Sequence, residues 1–158
     1  MRVTRIFLSS EHVYVGHYGR PAGTAPMVEV GRAQAIAGRG LVGDRYFGKE
    51  EGHRAQVTLF AEETWLRLRR DFGRDDRGPD VFRRNLLVSG ADLDALVGAR
   101  FEIQGVALEG SEYCKPCFWM DEAFAPGAFA ALTEWKAGGL RARILSDGWI
   151  AAEPAAGS

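Results

Sequence analysis

The chain has 158 residues, 46% of them apolar, and a formal net charge of −1. This length predicts one domain, which we place at residues 1–152, with a disordered tail at residues 153–158. The nearly balanced charge argues against a dedicated nucleic-acid-binding protein, and no apolar run approaches the roughly 18–20 residues that span a bilayer. The basic and apolar start is interrupted too early for a signal peptide, so we expect a cytoplasmic protein without membrane association.

Short β-type runs separated by glycine dominate the first half of the chain. They predict strands at residues 3–8, 13–15, 27–30 and 56–60. A helix is predicted to follow at once, because Glu62 and Glu63 suit its first turn and apolar residues then recur at spacings of three and four. Gly73 is predicted to end this helix.

The second half continues in the same style, with strands predicted at residues 86–88, 100–103 and 106–109, the last two joined by a tight connection at Gln104 and Gly105. A second helix is predicted at residues 127–136, before two glycines. Asp147 and Gly148 form a strong two-residue turn signal, so residues 141–145 and 149–150 are predicted to pair as a hairpin. Many short strands with few helices predict a mostly antiparallel β-barrel with peripheral α-helices.

Cys114 and Cys117 are the two cysteines of the chain, and they are separated by a lysine and a proline. A structural zinc site is one interpretation, but it needs four ligands. The histidines, at positions 12, 17 and 53, lie far upstream without the usual spacing. A thiol–disulfide exchange protein is a second interpretation. Such proteins place the first cysteine at a helix start within a βαβ unit, whereas here no clear helical period follows before Pro126.

A third interpretation is a thiolate on the rim of a barrel that holds a soft or high-valent metal. Pro116 restricts the backbone just before Cys117 and would stiffen its presentation. The cysteines are equally consistent with two small buried side chains that have no chemistry. The cysteine pattern alone leaves these alternatives open.

Several segments occur in an order and approximate spacing that resemble the MOSC domain, the molybdenum cofactor sulfurase C-terminal domain. They are GLVGDR at 40–45, QVTLFAEE at 56–63, RRNLLVSG at 83–90, LVGARF at 96–101 and CKPC at 114–117. GGLRARIL at 138–145, followed by Asp147 and Gly148, is similar to the closing segment of that family. The resemblance covers about residues 3–150.

The resemblance implies a β-rich barrel of the pyruvate-kinase-barrel type and a bound molybdopterin, the pterin-based molybdenum cofactor. By position in the motif it implies that Cys117, not Cys114, is the catalytic residue that ligates molybdenum or carries sulfur as a persulfide. The family includes reductases of N-hydroxylated compounds and sulfur-carrying domains. Arg84 stands where other members have glutamate, so the role of that glutamate cannot be carried over.

A cofactor with a phosphate and a polar ring system needs cationic donors and amide-like partners. The candidates for these contacts are Arg45, Arg83, Arg84, Asn85, Lys115 and Asp44. If a strand begins at Arg83, the two adjacent arginines point to opposite faces, and we favour Arg84 for the site. Lys115 either helps hold Cys117 as a thiolate or is an exposed lysine. Asp44 is equally well explained as the capping residue of a turn. His53 is interpreted as a loop residue with no functional role.

A reductase of this kind would need a separate electron-transfer protein, since iron–sulfur clusters require more cysteines than the two in this chain. A sulfur carrier would instead need a cysteine desulfurase to load it. Pyridoxal phosphate is not expected in this chain itself, because no matching fold pattern is recognisable. A non-enzymatic cofactor carrier and a thiol–disulfide exchange protein that uses both cysteines remain the alternative functions.

Overall fold

The computed structural model describes residues 1–10 and 26–153. The strands in these ranges are β1 (Arg2–Leu8), β2 (Val28–Val30), β3 (Arg32–Ile36), β4 (Gly40–Leu41), β5 (Val57–Ala61), β6 (Leu86–Ser89), β7 (Arg100–Ile103), β8 (Val106–Tyr113), β9 (Leu140–Ile144) and β10 (Gly148–Ala151). The α-helices are α1 (Glu62–Phe72), α2 (Trp119–Ala123) and α3 (Ala128–Trp135). The strand predicted at 13–15 lies outside the described residues. Of the tail predicted at 153–158, Glu153 donates its N–H to the carbonyl oxygen of Val3 at 2.7 Å, and residues 154–158 lie outside the described residues.

The strands form two sheets. The larger sheet has the order β2-β1-β6-β5-β9-β8-β7, and the smaller has the order β10-β3-β4. Every neighbouring pair is antiparallel except β5 and β6, which run parallel. The larger sheet curls into a half-barrel, and this confirms the predicted mostly β architecture with peripheral helices.

One apolar core lies between the two sheets. The larger sheet contributes side chains such as Ile6, Leu59 and Leu108, and the smaller sheet contributes Leu41 and Ile150, all of them fully buried. The small sheet therefore covers the inner face of the half-barrel. Burial of this apolar surface supplies the main driving force for closing the fold.

A second apolar cluster joins the helices to the outer face of the large sheet. Phe82 stacks on Phe60 of β5 at a centroid distance of 4.5 Å and on Phe124, beyond α2, at 5.5 Å. Leu68 of α1 and Leu132 of α3 are buried in the same cluster. Strand β5 is thus covered on both faces, as expected for a strand with a parallel neighbour. None of the helices in the described ranges is long and apolar enough to cross a membrane.

The hairpin predicted for the end of the chain is wrong. Strand β9 pairs with β5 and β8 in the large sheet, whereas β10 pairs with β3 in the small one. The carboxylate of Asp147 accepts a hydrogen bond from the backbone N–H of Ala37 at 2.8 Å, and so anchors the connection to the end of β3. The Asp147–Gly148 segment therefore transfers the chain from one sheet to the other.

The tight connection predicted between β7 and β8 is confirmed, with positive φ angles at both Gln104 and Gly105. The side-chain amide of Gln104 also bonds to the main chain of Ala151 in β10. It donates to the carbonyl oxygen and accepts from the N–H, both at 2.8 Å. This side chain links the two sheets at their margin.

Candidate functional site

The segment with both cysteines leaves the end of β8 and passes directly into α2. Cys114 is buried, and its backbone N–H donates to the carbonyl oxygen of Gly139 at 2.9 Å, just before β9 begins. The carbonyl oxygen of Cys117 accepts from the N–H of Met120 at 3.0 Å in the first turn of α2. Residues 114–117 contain no turn or bend. Helix α2 was not predicted from the sequence, because its five residues are too few to show the helical spacing of apolar side chains.

Cys117 lines a cavity of about 260 Å³ at the rim of the barrel. Cations dominate its wall: Arg45, Arg83, Arg84, Lys115 and Arg141. Aromatic rings supply another part of the wall: Tyr46, Phe82 and Trp119. None of the described residues that line this cavity carries a carboxylate, so its electrostatic character favours an anionic ligand.

Arg83 and Arg84 both face this cavity, although they are adjacent in sequence. The premise that a strand begins at Arg83 is wrong, since β6 begins at Leu86. Arg83 instead has a φ of 57° at the end of a short 3₁₀ turn. This left-handed conformation, uncommon for a residue other than glycine, brings consecutive side chains to one side of the chain.

Arg45 and Arg83 form a linked cationic pair. A guanidinium N–H of Arg45 donates to the carbonyl oxygen of Arg83 at 3.0 Å. Burial, together with the nearby Arg45 cation, lowers the pKa of Arg83 from its usual value. Because both effects disfavour the charged form, a bound anion would relieve them.

Asp44 lies behind this pair and holds Arg45 in place. One carboxylate oxygen accepts from the N–H of Ser9 at 3.1 Å and lies 3.3 Å from the guanidinium of Arg45. The other oxygen accepts from the N–H of Tyr46 at 3.3 Å. Asp44 therefore caps the turn after β4, and it is not among the residues that line the cavity.

Arg141 belongs to the site although the sequence analysis did not single it out. The pairing of β8 with β9 brings it opposite Glu112, whose carboxylate lies 2.6 Å from its guanidinium. Burial alone would lower the pKa of Arg141, but the nearby Cys114 and Glu112 side chains raise it above its ordinary value. In the sequence, the indication of a place for Arg141 in the site was its position in the GGLRARIL segment at 138–145.

A family model described as the MOSC domain matches residues 42–155, which include the cysteine segment and all five cations of the cavity wall. The chain belongs to the MOSC domain family. The resemblance inferred from the sequence motifs is thus confirmed.

Solved structures of low sequence identity share the fold of this MOSC domain. The YUAD protein from Bacillus subtilis is 18% identical, with a TM-score of 0.72 over 96% of this chain and 91% of that chain. YiiM from Geobacillus stearothermophilus is 16% identical, with a TM-score of 0.68 over 97% and 72% of the two chains. YiiM from Escherichia coli is 18% identical, with a TM-score of 0.62 over 97% and 67%. No curated protein sequence gives a significant match.

Asn85 lies behind the cavity wall of this MOSC domain and is fully buried. Its side-chain oxygen accepts from the N–H of Thr58 at 3.0 Å and from the Thr58 hydroxyl at 3.1 Å. Its amide nitrogen donates to the carbonyl oxygen of Phe7 at 3.1 Å. Asn85 thus joins β1 and β5 at the start of β6, and it is not one of the residues that line the cavity.

Lys115 and Trp119 line the cavity, whereas the neighbouring Phe118 is 49% exposed and is not part of the wall. Nowhere in residues 1–10 and 26–153 do three potential metal-binding side chains of His, Cys, Asp or Glu cluster. A metal at Cys117 would therefore need most of its ligands from a cofactor. The cationic wall fits an anionic cofactor of this kind.

His53 supports the cavity wall through Tyr46, on which its ring stacks at a centroid distance of 5.7 Å. Burial, foremost, lowers the pKa of His53 from its ordinary value of 6.5. The Nδ1 atom accepts from the N–H of Ala55 at 3.1 Å, which it can do only when it carries no proton.

We expect acidification to lower the stability of the cavity wall around Tyr46, because the folded state disfavours protonated His53. The stabilisation from neutral His53 is present above about pH 6.5 and is lost as the pH falls through the lower folded pKa. An NMR titration of the His53 ring should give a midpoint below that of unfolded chain. A His53→Gln variant that kept the same pH dependence of stability would contradict this assignment.

Proposed function

We propose that this MOSC domain binds molybdopterin, with Cys117 as the thiolate that ligates molybdenum. The observation that carries the proposal is the position of Cys117 in a cavity to which the described residues contribute five cations and no carboxylate. Arg83, Arg45 and Lys115 would bind the cofactor phosphate, and Tyr46 and Trp119 would pack against its ring system. When bound, the cofactor would supply a metal that changes its oxidation state next to the substrate.

The activity that we propose is the reduction of N-hydroxylated compounds, an activity of this family. Loss of the hydroxyl oxygen as water takes up two electrons and two protons. The chain has two cysteines, fewer than an iron–sulfur cluster normally uses, so a separate electron-transfer protein would deliver the electrons. We place this protein in the cytoplasm, where its thiols would stay reduced.

Two alternatives use the same residues. A sulfur carrier would hold a persulfide on Cys117 and would be loaded by a cysteine desulfurase. A thiol–disulfide exchange protein would need Cys114 and Cys117 to bond, and the α-carbons of bonded cysteines lie within about 7 Å. Both cysteines are free thiols, and the burial of Cys114 keeps it from a partner disulfide, which favours the molybdenum ligand over thiol exchange.

The test is to express the chain with a supply of molybdopterin and to measure molybdenum by mass spectrometry and pterin by fluorescence. We expect nearly stoichiometric molybdenum in the native chain and in Cys114→Ser, and its loss in Cys117→Ser, because this substitution removes the thiolate that would ligate the metal. Pterin without molybdenum in the native chain would favour a cofactor carrier. Native protein with neither would refute the proposal.

A further inference from the structure

The guanidinium of Arg84 is directed at main-chain oxygens of two separate segments of the chain. It donates to the carbonyl oxygen of Phe82 at 2.8 Å through Nη1. It also donates to the carbonyl oxygen of Gly138 through Nε at 3.3 Å and Nη2 at 3.1 Å. Three of its nitrogens are thus engaged with neutral acceptors of the protein itself.

Gly138 in turn packs against the cysteine segment. A methyl group on its α-carbon would overlap the carbonyl oxygen of Cys114 and would lie 2.8 Å from Cδ of Pro116. The N–H of Gly138 donates to the hydroxyl oxygen of Tyr113 at 3.2 Å, and the next carbonyl oxygen, of Gly139, accepts from Cys114. The position of the Gly138–Gly139 turn therefore sets the position of the chain that leads into Cys117.

Arg83 has a different environment. It is half-buried beside the Arg45 cation, and its guanidinium donates to the hydroxyl of Ser9 at 3.3 Å. Burial and the neighbouring Arg45 cation both disfavour its charged form, so an incoming anion would lower the electrostatic cost of that charge.

We infer that the two adjacent arginines have separate tasks. Arg84 is a positioning residue that holds the Gly138–Gly139 turn, and through that turn it fixes Cys117. Arg83 presents its charge to the anionic ligand. The assignment of Arg83 rests on the proposed function, whereas the assignment of Arg84 depends only on contacts within the chain.

The acceptors of Arg84 explain why its shape matters more than its charge. A planar guanidinium can donate along several fixed directions at once, whereas a lysine ammonium is a compact charge on a flexible stem. Arg84→Lys therefore keeps the charge of the cavity but loses the bridge between Phe82 and Gly138. This variant separates positioning from simple attraction of an anion.

The test uses cofactor-free protein in a Cys114→Ser background, in which Cys117 is the remaining thiol. The rate of Cys117 alkylation by iodoacetamide, a neutral reagent, is measured for the parent, Arg84→Lys, Arg84→Ala and Arg83→Lys. Circular dichroism and thermal unfolding show which variants are folded. If Arg84→Ala does not fold, the comparison of Arg84→Lys with Arg83→Lys decides.

We expect alkylation several-fold faster in folded Arg84→Lys than in the parent, because Cys117 is released from its fixed position, and little change in Arg83→Lys. An unchanged rate in Arg84→Lys, or an equal increase in Arg83→Lys, would overturn the division of tasks. Because no cofactor is present, this result is independent of whether the domain binds molybdopterin. The role of Arg83 is tested separately with Arg83→Glu expressed with a supply of cofactor. We expect this variant to lose pterin, and pterin retained in it would overturn the assignment of Arg83.

Discussion

Replacement of Gly138 by alanine is expected to lower the free energy of unfolding by about 3 kcal/mol and to disrupt the cavity around Cys117. The added methyl group would overlap the carbonyl oxygen of Cys114, a residue whose own N–H donates to the carbonyl oxygen of Gly139 at 2.9 Å. Relief of this overlap requires the turn to move away from the cysteine segment, and Arg84 would lose its acceptor. Denaturant unfolding measures the first effect, and molybdenum content after expression with cofactor measures the second.

Gly31→Ala is the matched control for this substitution. Gly31 has nothing within 4 Å of the position that a methyl group would occupy, and its backbone is not in the left-handed region. We expect its stability to stay within about 0.5 kcal/mol of the native chain. If Gly138→Ala is as stable as Gly31→Ala, the close packing of the turn on the cysteine segment is incorrect.

Asn85→Ala is expected to cost about 3 kcal/mol or more of stability, through loss of buried hydrogen bonds rather than through overlap. The substitution leaves the N–H and hydroxyl of Thr58 and the carbonyl oxygen of Phe7 without their side-chain partner. Each buried polar group without a partner costs about 1–3 kcal/mol, and neighbouring losses are not fully additive. Denaturant unfolding with an unchanged m-value would measure the loss.

Gln104→Ala provides the comparison for Asn85→Ala. It also removes an amide that makes two main-chain hydrogen bonds, but at an exposed position where water can replace them. We expect a cost of about 1 kcal/mol or less. If the two variants lose the same free energy of unfolding, the burial of Asn85 does not account for its contribution to stability.

Local sequence patterns predicted most elements of the fold. The acidic start, the apolar spacing and the final glycine of α1 agree with the structure, since the N–H of Gly73 bonds back to Arg69 with a left-handed φ of 63°. The strand before Cys114 and the turn at Gln104 were equally visible. These features depend on neighbours in sequence, which a single chain displays directly.

Features set by distant contacts were not predictable in this way. The Asp147–Gly148 pair carries a strong local turn signal, but the contact of Asp147 with Ala37 decides which sheet the next strand joins. Arg141 enters the site only because β9 pairs with β8. Arg83 and Arg84 face the same cavity because the backbone of Arg83 is left-handed, a conformation that the sequence pattern does not predict.

The link between Gln104 and Ala151 has a consequence beyond the fold of a single molecule. Among the strands of residues 1–10 and 26–153, β10 lies at the margin of the small sheet, where it pairs with β3. An open strand edge is a template on which another chain can add a strand and begin to aggregate. The amide of Gln104 imitates such an added strand at Ala151 by filling both its donor and its acceptor. At Ala151 the Gln104 side chain thus occupies the two backbone groups on which a strand of another molecule would have to pair.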